Sequence, residues 1–144
     1  MLKKYDNGLQ IAAGFYYKQH PLKDIVNLPE MYCKQDFGWY GINGQNVKYA
    51  IVTYKKEFFE LAKKTLANKE CVWIKSPEDV VASGNCVAIV YDVSCENENL
   101  LGRMVERVNS RTADRQGNTF YPSWVARVEV RKGGLVDDLK VSDI

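Results

Sequence analysis

The sequence has 144 residues, of which 46% are hydrophobic and 26% are charged, and its net charge is +2 at pH 7. This length suits about one domain, and the composition excludes a disordered or fibrous chain. No apolar run approaches the roughly 18 to 20 residues that span a bilayer, and no signal-peptide core follows the N-terminus. We therefore expect a cytoplasmic protein that has no membrane partner.

The N-terminal segment is predicted to begin with a strand. Apolar side chains alternate from Leu9 to Tyr17, which is the period of a half-buried strand, and Gly14 is a place where such a strand can bend. Residues 22–32 have a helical spacing that Pro29 interrupts, so the sequence leaves their structure open.

A hairpin is predicted around Asn43-Gly44. This pair separates two β-prone runs, residues 37–42 and 47–53. Both residues tolerate the positive φ angles of a tight turn, which makes Asn-Gly a strong hairpin signal. We expect the two runs to be antiparallel neighbours.

The elements from residue 47 onward follow the order strand, helix, strand, strand, helix, strand. Their periods of hydrophobicity place the helices at 55–68 and 97–111, with Asn97 as the N-cap of the second, and the strands at 47–54, 71–74, 86–93 and 124–131. This is the βαββαβ order of the ferredoxin-like fold, in which two main helices cover one face of an antiparallel sheet. Another α+β arrangement is the alternative.

The sequence thus predicts a single α+β domain over residues 1–134. Residues 1–46 are its strand-rich N-terminal extension, and residues 47–132 are its βαββαβ-like core. Gly133-Gly134 is expected to end the compact region and to leave residues 135–144 as a loosely held polar tail.

The cysteine and histidine patterns predict no metal site and no cofactor. No C-x-x-C pair occurs among the four cysteines, which are Cys33, Cys71, Cys86 and Cys95. His20 is the only histidine, so we expect it to be structural or solvated. Phosphate-loop, dinucleotide-binding, serine-hydrolase and zinc-protease motifs are absent from the sequence. We expect reduced thiols in a binding protein rather than an enzyme.

Arginine is confined to the last part of the chain. Its six positions are Arg103, Arg107, Arg111, Arg115, Arg127 and Arg131, and residues 103–132 hold seven basic side chains against three acidic ones. Guanidinium groups bind phosphates and carboxylates with two hydrogen bonds, so this cluster predicts contact with an anionic partner, either nucleic acid or an acidic protein surface. An ordinary solvated face is the alternative.

Two other functions stay open at this point. Ten of the 17 aromatic residues lie in the first 54 positions, and exposed Trp39 and Tyr40 would suit a regulatory module that binds another protein. Carboxylates near strand ends serve many enzymes as acid-base groups, which makes Asp92, Asp36 and Glu96 the candidates for an unrecognised enzyme.

Overall fold

The structure, a computed structural model, describes residues 3–5, 8–12, 15–27, 48–67, 69–83, 86–111 and 123–138. These residues form one sheet of eight strands and four α-helices. The strands are β1 (Lys3–Tyr5), β2 (Gly8–Ala12), β3 (Phe15–Gln19), β4 (Lys48–Val52), β5 (Glu70–Ile74), β6 (Cys86–Asp92), β7 (Ser123–Arg131) and β8 (Gly134–Asp137). The helices are α1 (Leu22–Val26), α2 (Lys56–Thr65), α3 (Pro77–Ala82) and α4 (Glu98–Arg111), and a 3-10 turn spans Val93–Cys95.

The sheet is mixed and mostly parallel. β4 lies between β5 and β6, β7 pairs with the other edge of β6, and all these pairings are parallel. β3 continues the sheet in parallel beside β7, and β2 and β1 follow it antiparallel. The order is β1-β2-β3-β7-β6-β4-β5. β8 pairs antiparallel with the C-terminal half of β7. It lies on the same edge of β7 as β3, which pairs with the N-terminal half.

Helices cover both faces of this sheet. Successive side chains of a strand point to opposite faces, so Tyr49 and Ile51 of β4 pack with α1 and α2, whereas Ala50 and Val52 pack with α3 and α4. β6 is divided between the same two clusters of buried residues. The strand predicted at 86–93 is therefore a central strand, β6, with helices over both of its faces.

The general expectation of an α+β domain is confirmed, but the predicted antiparallel, ferredoxin-like sheet is not found. The difference comes from residues 76–82, which lie between two predicted strands and for which no helix was predicted. They form α3, which Ser76 caps by accepting the backbone N–H of Asp79. A helix between β5 and β6 lets the chain cross over the sheet and add β6 in parallel, whereas a tight turn would have made the two strands antiparallel neighbours.

The predicted hairpin is wrong for the strand that the structure describes. β4 has parallel partners on both edges, β5 and β6, over all of Lys48–Val52. No edge of β4 is left for an antiparallel partner. The other half of the predicted hairpin, including Asn43-Gly44, lies outside the described residues.

The other elements predicted from residue 47 onward are confirmed with small shifts of their ends. Asn97 caps α4, because its Oδ1 accepts the backbone N–H of Leu100 at 3.1 Å. Nearer the N-terminus, the single strand predicted from Leu9 to Tyr17 is two strands, β2 and β3, which pair antiparallel. The segment left open contains the short helix α1.

Residues 135–138, which were predicted to belong to a polar tail, are part of the described fold. Residues 134–137 form β8, and the turn before it contains Lys132 and Gly133 with φ angles of 51° and 77°. Two successive positive φ angles suit a tight hairpin, so Lys132 and Gly133 reverse the chain, and Gly134 begins β8 instead of ending the compact region. The Asp137 carboxylate accepts the backbone N–H of Leu22 at 2.8 Å, which ties β8 to the start of α1.

Candidate functional site

The carboxyl ends of β4 and β6 form a topological switch point. From β4 the chain passes through α2 to β5 on one side, and α3 then brings it back past β4 to β6 on the other side. In open sheets with parallel strands, ligands commonly bind in the crevice at such a point. The residues that follow β4 and β6 are therefore the first place to look for a site.

Thr53 and Asp92 meet at this switch point, and each is only 1% exposed. The Thr53 hydroxyl donates to Asp92 Oδ2 at 2.8 Å. Asp92 Oδ1 accepts the backbone N–H of Ser94 at 3.0 Å and the Ser94 hydroxyl at 2.7 Å. Asp92 thus caps the 3-10 turn, and both of its carboxylate oxygens are occupied. These contacts give Asp92, one of the predicted acid-base candidates, a structural role at the turn.

The two loops at the switch point are also joined directly. The backbone N–H of Tyr54 donates to Cys95 Sγ at 3.2 Å, and Lys55 Nζ donates to Ser94 Oγ at 3.0 Å. The Asn97 amide donates to the Tyr54 hydroxyl. These contacts join the two loops across the switch point.

Cys95 is not an activated nucleophile in this arrangement. Burial raises the pKa of its thiol, although the hydrogen bonds that it makes with the Tyr54 backbone N–H and the Thr53 hydroxyl act in the opposite direction. Its Sγ lies 3.4 Å from Asp92 Oδ2, an acceptor that suits the protonated thiol. Nucleophilic cysteines need the thiolate. Of the other two candidate carboxylates, Glu96 is exposed on the loop and Asp36 lies outside the described residues.

Arg127, which was predicted to contact an anionic partner, is buried inside the protein. It is 7% exposed, and it donates from Nη1 and Nη2 to the two carboxylate oxygens of Glu98 at 2.9 and 3.0 Å. Nη1 also donates to the Tyr17 hydroxyl at 3.0 Å, and the guanidinium carbon lies 5.1 Å from the centre of the Tyr91 ring. The guanidinium of Arg127 therefore holds α4, β3 and β6 together inside the protein.

The remaining predicted arginines divide into three groups. Arg131 is exposed, but it pairs with Glu129 at 2.5 Å on the same strand. Arg115 and the side chain of Arg111 lie outside the described part of the chain, as do Trp39 and Tyr40. Arg103 and Arg107 are the two that the structure brings together at one surface feature.

That feature is a groove between α3 and α4, with a volume of about 270 Å³. We call it the α3–α4 groove, and its lining residues are Pro77, Val80, Val81, Arg103, Glu106 and Arg107. α3 provides an apolar wall, and α4 provides the charged wall. Arg103 is exposed, and Arg107 is half-buried on the flank of α4. Both arginines therefore lie on α4 beside the groove.

A second surface, which was not predicted, combines a pair of stacked aromatic rings with two lysine side chains. Phe59 of α2 stacks on Trp73 of β5 with ring centroids 5.0 Å apart. Lys63 Nζ lies 5.4 Å from the Phe59 centroid, and Lys75 Nζ lies 4.4 Å from the Trp73 centroid. The two lysines therefore cover the aromatic pair, which leaves no ring face ready to stack on a nucleic-acid base.

His20 has the structural position that the sequence predicts. It is buried and stacks on Trp124 with ring centroids 3.5 Å apart, and its Nδ1 lies 3.5 Å from a carboxylate oxygen of Asp24. In the described part of the chain no three His, Cys, Asp or Glu side chains come together as metal ligands. Cys71, Cys86 and Cys95 form no disulfide.

Within the same residues, no helix is long and apolar enough to cross a bilayer. The chain matches no family model, no curated protein and no solved structure. The case for a function therefore rests on the residues and geometry described above.

Proposed function

We propose that this protein is a non-enzymatic binding protein that contacts an anionic partner through the α3–α4 groove. The observation that carries the proposal is the joint placement of Arg103 and Arg107 in one groove. Among the described residues, no ion pair occupies Arg103. Its guanidinium is therefore available to an external carboxylate or phosphate, with which it can make two parallel hydrogen bonds.

Catalysis has less support than binding. The most buried carboxylate at the switch point, Asp92, accepts hydrogen bonds from Thr53 and Ser94 and caps a turn. The nearby thiol of Cys95 has a raised pKa, which favours its unreactive form. The polar cluster at the switch point is thus satisfied by its own members.

The proposal can be tested with two simple polyanions, poly-glutamate and a single-stranded oligo-dT, by fluorescence anisotropy at several salt concentrations. We expect Arg103→Ala to weaken binding of at least one polyanion by about fivefold to tenfold, the loss of one charge-assisted contact. If that polyanion is the oligonucleotide, the slope of log K against log salt should fall in magnitude by about 0.7, the value for one phosphate contact on a single strand.

Arg131→Ala is the matched control, since Arg131 is also an exposed arginine but lies outside the groove and pairs with Glu129. It should leave both affinities within about twofold of the wild type. Equal affinities of the wild type and Arg103→Ala for both polyanions would show that the groove is not the contact surface.

A further inference from the structure

We infer that the partner of the α3–α4 groove is the C-terminal residue of a peptide chain, and that this residue has an apolar side chain. This inference rests on the proposed function, and it names the chemistry of the partner. The terminal carboxylate meets Arg103, and the apolar side chain meets Val81. Arg107 lines the same groove, but it is already engaged in another interaction, so no ligand group is assigned to it.

The apolar wall of the groove is open to solvent. Val81 is 71% exposed, the highest value among the large hydrophobic residues that the structure describes. Pro77 is also exposed, and the buried side chain of Val80 completes the wall. Exposed apolar surface beside charged residues is typical of sites that bind other proteins. We therefore expect this wall to receive an apolar side chain.

The charged wall of the groove suits a single anion. Arg103 and Glu106 both line it, and both are exposed. Within the described ranges, neither side chain forms an ion pair. The guanidinium of Arg103 can bind one carboxylate with two parallel hydrogen bonds. Glu106 is its neighbour on the surface of α4 and repels a second negative charge. A polynucleotide, whose phosphates repeat along the strand, is therefore disfavoured.

The size of the groove suits one residue. Its volume is about 270 Å³, below the roughly 300–1,000 Å³ of pockets for drug-sized ligands. One residue should therefore supply both the carboxylate for Arg103 and the apolar group for Val81. A C-terminal residue does so, because its carboxylate and its side chain are attached to the same Cα atom. In an internal acidic residue the side chain itself carries the charge, so the apolar group would have to come from a second residue.

The test uses the fluorescein-labelled peptide Gly-Ser-Gly-Ser-Gly-Leu with a free C-terminus, and it measures binding by fluorescence anisotropy. Three other peptides are compared with this Leu peptide. The first has the same sequence and a C-terminal amide, the second ends in Ser, and the third has Glu in place of Gly before the final Leu. A labelled single-stranded oligo-dT is the nucleic-acid probe.

The groove variants are Arg103→Ala, Glu106→Gln and Val81→Gln, since glutamine is an uncharged residue that favours the helix. Arg131→Ala and Val136→Gln are the matched controls, because both residues are exposed and lie outside the groove. Circular dichroism melting verifies the fold of each variant. The comparisons between peptides also use the wild type alone, so they decide the question even where a variant fails to fold.

We expect the Leu peptide to bind about fivefold to tenfold more tightly than its amide, which lacks the charge-assisted contact. Arg103→Ala should remove that difference. The peptide that ends in Ser should bind about tenfold more weakly than the Leu peptide, as partial burial of one leucine side chain allows. Val81→Gln should reduce this second difference to less than about threefold. The two control variants should match the wild type within about twofold.

Glu106→Gln should act in the opposite direction. It should tighten binding of the Leu peptide by about twofold, because a repelling charge has been removed. The peptide with Glu before the final Leu should bind the wild type about twofold more weakly than the Leu peptide does, and Glu106→Gln should remove that penalty. A purely structural role of Glu106 would not depend on the charge of the peptide.

Four results would overturn the inference, and they separate it from the proposed function. Equal affinity for the free and amidated peptides rejects the terminal carboxylate, and the proposed function stands if Arg103→Ala still weakens binding of poly-glutamate or oligo-dT. Equal affinity for the peptides that end in Leu and Ser rejects the apolar contact. Tighter binding of oligo-dT than of any peptide, dependent on Arg103, replaces the peptide by nucleic acid. If no probe shows binding that depends on Arg103, both the inference and the proposed function are rejected.

Discussion

Replacing Asp92 by alanine tests whether the buried cluster at the switch point is structural. The substitution removes the N-cap of the 3-10 turn, a loss that costs about 0.5–2 kcal/mol. It also leaves the hydroxyl of Thr53, which is 1% exposed, without its acceptor, at a cost of about 1–3 kcal/mol. The free energy of unfolding should therefore fall by about 3 kcal/mol, a large part of the roughly 5–15 kcal/mol that holds a domain folded.

The measurement is urea unfolding followed by far-UV circular dichroism, together with a thermal melt in which the midpoint should fall by about 10 °C. Asp92→Asn keeps an acceptor for Ser94 in place of Oδ1 but loses the Oδ2 acceptor of the Thr53 hydroxyl, so it should cost less than Asp92→Ala.

A double-mutant cycle with Thr53→Val completes the test. Valine has no hydroxyl to leave unsatisfied, so Asp92→Ala should be less costly by about 1 kcal/mol in that background than in the wild type. A loss below about 1 kcal/mol for Asp92→Ala, or strict additivity of the two substitutions, would refute the structural role assigned to this pair.

Three further predictions concern other parts of the fold. Because burial raises the pKa of the Cys95 thiol, iodoacetamide should modify this thiol much more slowly at pH 7.5 in the folded protein than in urea. Mass spectrometry follows the modification, and equal rates in the two conditions would contradict the prediction. Burial also raises the pKa of Tyr17 to about 12, although Arg127 acts against it. The stability that this group contributes is complete below its unfolded pKa near 10 and is lost as the pH rises to about 12. Tyr17→Phe should reduce this decline, as measured by urea unfolding at each pH. Gly133→Ala should reduce the free energy of unfolding by about 1–2 kcal/mol, because Gly133 has a φ of 77°. Gly134→Ala should change it by less than about 0.5 kcal/mol, because the new Cβ would meet only a backbone oxygen at 3.9 Å. Similar losses for both variants would show that the turn imposes no strain at Gly133.

Local periodicity predicted most helices and strands, but it did not predict how the strands pair. The amphipathic spacing of α2 and α4 is strong because each helix runs for several turns against the sheet. α3 has only six residues, too few for a clear period. The Ser76-Pro77 pair, with Asp79 two residues later, was a helix-start signal that could have revealed it. Missing that one crossover changed the expected sheet from parallel to antiparallel.

The same omission hid the candidate site. The position of Arg103 and Arg107 one turn apart on α4 follows from helical spacing alone. The apolar wall of the groove, however, belongs to α3. The burial of Arg127 was not predictable from its strand, where it alternates with apolar residues as a solvent-facing side chain would. Its partner Glu98 is distant in sequence, and only the packing of α4 against that face of β7 brings the two together.

The way β7 is shared by the two ends of the described chain bears on the order of folding. β3 pairs with residues 123–125, and β8 pairs with residues 128–131 on the same edge. The N-terminal strands must therefore find a partner more than a hundred residues away in sequence, and closing such a long loop is slow because its entropic cost precedes any gain from contacts. During synthesis, β3 can join the sheet only after β7 has left the ribosome. Until then the region from β4 to β6 can assemble through its local crossovers, and the edge strands are added to it last.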